Sequence, residues 1–107
     1  MIARVLRRTH PDCRMEEAAD IPQARKMLLS LRPRLVISDL YLPRGNGLDL
    51  CRFIQGHPWF YKTRVLIITG YPSAELRERA FVQGACEFLP KPFRTEDMAN
   101  SIGRLLA

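Results

Sequence analysis

The chain holds no apolar run near the ~20 residues that a membrane span needs, so no membrane segment is expected. Its start, Met1-Ile2-Ala3-Arg4, lacks the apolar core of a signal peptide. Both absences set a cytoplasmic expectation. Cysteine is scarce: Cys13, Cys51 and Cys86 are scattered, odd in number and at no metal-ligand spacing. They read as small apolar residues, buried or half-buried. A Gly-rich phosphate loop and a nucleophile elbow are both missing, which argues against an enzyme. Repeats, linkers and low-complexity tracts are missing too. Near the start no Asp-Asp, Asp-Glu or Glu-Asp pair follows an apolar strand. Glu16-Glu17 falls on or after a later strand.

What is present suffices for one small domain over residues 1–107, since 47% of the chain is hydrophobic. The net charge of +6 raises nucleic acid as a partner. The arginines are spread along the chain, however, and the densest group, Arg4, Arg7 and Arg8, has no interleaved aromatic residues. Nucleic-acid binding is not expected.

Residues 1–9 read as a helix, with Ile2, Val5, Leu6 and Thr9 at i, i+3, i+4, i+7. His10-Pro11-Asp12 stops it, and Cys13 to Ala18 reads as a strand. Asp20 is the expected cap of a helix with Pro22 and Gln23 in its first turn and Ala24, Met27, Leu28 and Leu31 on one face. The β-branched run Leu35 to Asp39 reads as a buried strand, closed by Pro43, Gly45 and Gly47. A helix with Leu50, Phe53 and Ile54 inward follows, and Gly56-His57-Pro58 ends it. His10 and His57 read as exposed stops beside prolines. Val65 to Thr69 is the next strand. Ser73 caps a helix carrying Leu76, Ala80 and Phe81, which ends at Gly84. Cys86 to Leu89 is the last strand. Thr95 is the expected cap of a final helix, with Glu96 and Asp97 in its first turn. Strands alternating with helices imply a parallel sheet with helices on both faces. Ligands of such sheets lie beyond the carboxyl ends of the strands. Asp39, Thr69 and Lys91 all stand at such ends.

Asp39 followed by Pro43 and Gly47, then Thr69-Gly70, then Lys91-Pro92-Phe93, in this order and spacing, resembles the receiver domain of two-component response regulators. The resemblance runs from about residue 2 to the C-terminus. It implies a flavodoxin-like, doubly wound parallel sheet of order 2-1-3-4-5. It implies Asp39 as phosphoacceptor, with a histidine kinase or phosphotransfer protein as donor. Thr69, Gly70 and Lys91 would contact the phosphoryl group. Mg²⁺ would lie on Asp39 and the backbone carbonyl of Tyr41, held weakly or not at all because the acidic pair is absent. Thr69 and Phe88 would form the switch, although Phe88 reads equally well as core. The Lys91–Pro92 peptide bond would be cis. The surface around Tyr71, Phe88 and the last two helices would meet partners.

Against the family pattern the chain is expected to be truncated by one strand at its N-terminus, so the domain is partial there. The missing strand lies between the second and third, and its loss would expose two edges inside the sheet. Three outcomes stay open: the flanking strands close up, residues 1–6 become a strand, or a second copy of the chain fills the gap. Self-association is the expectation for the last. Two functions also stay open. One is a phosphoryl-accepting receiver whose output is partner binding. The other is a degenerate receiver that is not phosphorylated and serves as an interaction or dimerisation module.

Overall fold

The computed structural model describes residues 3–7, 14–42, 45–70 and 72–106, and of residues 3–7, 14 and 15 it gives the backbone course alone. The readings made for Cys13, for His10-Pro11-Asp12, for Pro43 and for Tyr71 lie outside the described residues. The described strands are Ala3–Arg7 (β1), Arg14–Ala18 (β2), Leu35–Asp39 (β3), Tyr41–Leu42 (β4), Gly45–Asn46 (β5), Arg64–Thr69 (β6) and Glu87–Pro90 (β7). The helices are Ile21–Leu31 (α1), Gly47–Gln55 (α2), Ala74–Val82 (α3) and Thr95–Leu106 (α4), with a 3-10 turn at Pro58–Phe60. Five strands form one sheet in the order β2-β1-β3-β6-β7, and β4 and β5 make a separate small hairpin.

Of the residues 1–9 expected to form a helix, residues 3–7 are a strand, and the others lie outside the described residues. β1 lies between β2 and β3 and is antiparallel to both. Val5 stands opposite both Glu16 and Val36. Two forces explain the difference. A terminal helix of nine residues is marginal by itself. Without β1, β2 and β3 would each leave a row of amides and carbonyls unpaired within the sheet. The short link from Arg7 to Arg14 permits only an antiparallel return, because a parallel one needs a long crossover. The slot expected to be vacant is therefore filled from within the chain. The ground on which self-association was expected, open edges beside that slot, is removed.

The remaining strands run as the apolar runs require. β3, β6 and β7 are parallel, with Asp39 opposite Ile68 and Thr69 opposite Pro90. One sheet face packs Val36, Val65 and Ile67 against Ala24 and Leu28 of α1, Leu50, Cys51 and Ile54 of α2, and Ala80 of α3. The other face packs Leu35, Ile37, Leu66 and Ile68 against Leu105 and its neighbours on α4. Burial pushes the Cys51 thiol up to about 12, so it behaves as a core residue. Cys86 is half-buried.

The caps are largely those the sequence implies. The Asp20 side chain accepts from Gln23 N–H, and Ser73 accepts from Leu76 N–H. The final helix differs by one residue. Thr95 is already helical, and Asp97 accepts from the N–H of Arg94 instead. An acidic side chain there meets a backbone amide and the positive end of the helix together. At the base of the same helix, the Arg104 guanidinium lies 2.9 and 3.2 Å from Glu87. It holds the Glu87 carboxyl below the usual range and ties α4 to β7.

α1 closes on Arg32 in the left-handed conformation (φ 46°), its N–H bonded to Leu28 O. That conformation costs a residue with a Cβ about 1 kcal/mol relative to glycine. Arg32→Gly is expected to raise stability by about 0.5–1 kcal/mol in denaturant titration.

Candidate functional site

Three consecutive parallel strands end side by side, and each end delivers one functional side chain. The β3–β6 ladder continues one step past Asp39, with Leu40 N–H bonded to Ile68 O at 2.8 Å. The β6–β7 ladder continues likewise, with Lys91 N–H bonded to Thr69 O at 2.7 Å. These two bonds fix where Asp39, Thr69 and Lys91 leave the sheet. A pocket of about 200 Å³ results, lined by Asp39, Leu40, Tyr41, Ile68, Thr69, Gly70 and Lys91.

The Asp39 side chain is 8% exposed, and its Oδ1 lies 2.9 Å from Lys91 Nζ. The Lys91 side chain is 36% exposed, so its ammonium reaches the carboxylate from the solvent side. Thr69 is buried at the floor. Behind the carboxylate, the fully buried Ser38 hydroxyl donates to the Asp39 backbone carbonyl at 2.8 Å. Gly47, at the start of α2, passes so close that a Cβ there would lie 2.7 Å from the same carbonyl. Its own N–H bonds Leu40 O at 2.7 Å. Asp39 is thus clamped from behind by Ser38 and α2.

That clamp depends on a helix start which the sequence reading did not weigh. Asn46 caps α2, accepting from Leu48 and Asp49 N–H, while the Asp49 side chain accepts from Asn46 N–H. This reciprocal pair holds the Asp49 carboxyl below its usual range. The signal was present as Asn-x-x-Asp ahead of an apolar run.

The structure brings together Asp39, Tyr41, Thr69, Gly70 and Lys91. The Tyr41 side chain is largely exposed beside the pocket. Phe88 stands apart from it. It is half-buried, packs against the core beneath α3, and lines a separate cleft with Pro72, Phe81, Val82 and Pro90. The Lys91–Pro92 peptide bond is cis.

Mg²⁺ asks for an octahedron of oxygens, normally with two or more carboxylates and water. Among the described residues lining the pocket, Asp39 is the one carboxylate, and it is already ion-paired. Among the described residues no group of three or more His, Cys, Asp and Glu side chains could hold a metal. In receiver folds with an acidic pair, the strand between the second and third brings those carboxylates. Here that strand reads Ala3-Arg4-Val5-Leu6-Arg7 and runs in the opposite direction. The donor set does not fit a resident divalent cation.

An open α/β sheet with a carboxylate, a hydroxyl and an ammonium converging at its carboxyl edge defines a receiver-type signalling module. The comparisons agree. The family model of the response regulator receiver domain matches residues 1–103. The chain belongs to that family. It is 33% identical over 92 residues to the response regulator MprA of Mycobacterium tuberculosis, a match covering 86% of this chain and 39% of that protein. It is 40% identical over 76 residues to the response regulator protein PilR of Pseudomonas aeruginosa, covering 70% of this chain and 16% of that one. The chain thus spans less than half the length of these curated relatives. Among solved structures it is similar to the signal receiver domain of a LuxO-type repressor protein from Vibrio parahaemolyticus, with a TM-score of 0.78 and 28% identity over 83% of this chain and 67% of that one. The beryllofluoride-activated NtrC4 receiver domain dimer gives a TM-score of 0.75 and 30% identity over 82% of this chain and 71% of that one. Among the described residues no helix is long and apolar enough to cross a membrane.

Proposed function

We propose that this chain is a receiver module of a two-component pathway that takes a phosphoryl group on Asp39 from a phosphohistidine of a kinase or phosphotransfer protein. The observation that carries the reading is the placement of Asp39, Thr69 and Lys91 around one pocket by three adjacent strand ends. In the transfer, a carboxylate oxygen of Asp39 forms the new P–O bond and the P–N bond of the donor breaks. The imidazole leaves with the electron pair and remains on the donor as the neutral ring after taking up a proton where needed. Such transfer depends on in-line positioning and on charge around the equatorial oxygens. Lys91 supplies a point charge for one of those oxygens. The Thr69 hydroxyl donates to another, and Gly70 leaves room beside it. The Ser38–Asp39 bond and the Gly47 contact fix the acceptor.

The donor set of the pocket favours a second reading: a receiver that is not phosphorylated and works as an interaction module. Intact mass after incubation with phosphoramidate, which carries a P–N bond like phosphohistidine, separates the two. A phosphoryl adduct absent from Asp39→Asn is expected. Folded protein that takes up no phosphoryl group under any metal condition would leave the second reading.

A further inference from the structure

We infer that the Asp39 site is independent of divalent metal, because the one carboxylate among the described lining residues is already paired with the Lys91 ammonium. The inference rests on the same site as the proposed function but concerns what balances its charge. Asp39 and Lys91 stand 2.9 Å apart, with the carboxylate 92% shielded from solvent and the ammonium at the mouth. A divalent cation entering here would have to part this pair and would gain only one charged ligand for doing so. The other residues lining the pocket besides Lys91, namely Leu40, Tyr41, Ile68, Thr69 and Gly70, carry no charge. One carboxylate with neutral oxygens is a poor set for Mg²⁺, which dehydrates reluctantly.

Among the described residues that line the pocket, no second carboxylate offers a replacement. Glu16 and Glu17 are on β2, separated from β3 by the whole of β1. The slot that would have to bring carboxylates is held by an antiparallel strand with arginine at positions 4 and 7.

Two measurements on the full chain test this. The first is the electron paramagnetic resonance signal of free Mn²⁺ in the presence of protein, a direct reading of metal binding that needs no phosphoryl transfer. The free signal is expected to be the same with wild type and with Asp39→Asn. A loss of free signal that Asp39→Asn restores would overturn the inference. The second is the rate of phosphoryl adduct formation from phosphoramidate with Mg²⁺ and with EDTA. The two rates are expected to agree within about twofold, and Lys91→Met is expected to slow both by about tenfold or more, one tenfold step being 1.36 kcal/mol. Adduct formation that requires Mg²⁺ would overturn the inference and leave Asp39 as acceptor intact. If neither condition yields an adduct, the acceptor reading fails, and the Mn²⁺ measurement alone decides the metal inference.

Discussion

Val5→Pro is expected to unfold the protein. Val5 sits at the middle of β1, opposite Glu16 on one side and Val36 on the other. A proline there has no N–H for the ladder, and its ring disturbs the strand beside it. A central strand has no solvent side on which to hide that defect. The direct loss is about 3 kcal/mol or more. A domain of this length holds about 5–15 kcal/mol in total. The defect also separates β2 from β3, so the loss spreads beyond one residue. Circular dichroism and a urea titration would show it, as a lost transition or a much lower midpoint. Hydrogen exchange on the wild type gives the independent check: the amides of residues 4–6 that pair with β2 and β3 should exchange slowly. Fast exchange there, or a Val5→Pro variant as stable as wild type, would refute the central position of β1.

The second large effect is at Gly47. An added Cβ would meet Asp39 O at 2.7 Å, Ile67 Cδ1 at 2.8 Å and Ser38 Oγ at 3.1 Å. The first of these is backbone and cannot swing away. Gly47→Ala should therefore cost about 2–3 kcal/mol, in the range of overpacked cores. It should also displace the acceptor carboxylate, so any phosphoryl adduct on Asp39 should form more slowly in the fraction that is folded. Gly70→Ala is the control. It lines the same pocket, but a Cβ there meets nothing within 4 Å. Its stability is expected to stay within about 0.5 kcal/mol of wild type. Equal effects at the two glycines would mean that the clamp behind Asp39 does not exist.

The site was legible because each of its parts is announced locally. Asp39 and Thr69 end β-branched runs, and Lys91 follows the short run ending at Pro90. Parallel pairing then brings such ends together with no further instruction. The first nine residues were not legible in the same way. Ile2, Val5, Leu6 and Thr9 satisfy a helical period, yet the pattern is too short to outweigh the demand of β2 and β3 for a partner between them. That demand is tertiary and belongs to β2 and β3, which come later in the chain. A strand over residues 1–6 is one of the ways to fill the slot that the sequence leaves open, but local periodicity does not choose it. Thr95 is no cap for a smaller reason: the helix starts one residue earlier than expected, so Thr95 is already helical and Asp97 accepts from the N–H of Arg94. The hairpin of β4 and β5 escaped because strands of two residues carry no period at all.

The sheet that β1 completes still has two outer strands, and both are poor templates for another chain. β2 reads Arg14-Met15-Glu16-Glu17-Ala18, three charges in five residues. At the other side β7 ends on Pro90, and Lys91-Pro92 follows directly. Prolines give an incoming strand no amide to bond, and like charges repel a second copy laid against the first. Filling the middle of the sheet from within the chain thus leaves its exposed backbone only where charge and proline already guard against aggregation. Charge and proline at these two edges favour association through side-chain surfaces, where it can be reversible, over the spread of a sheet from molecule to molecule.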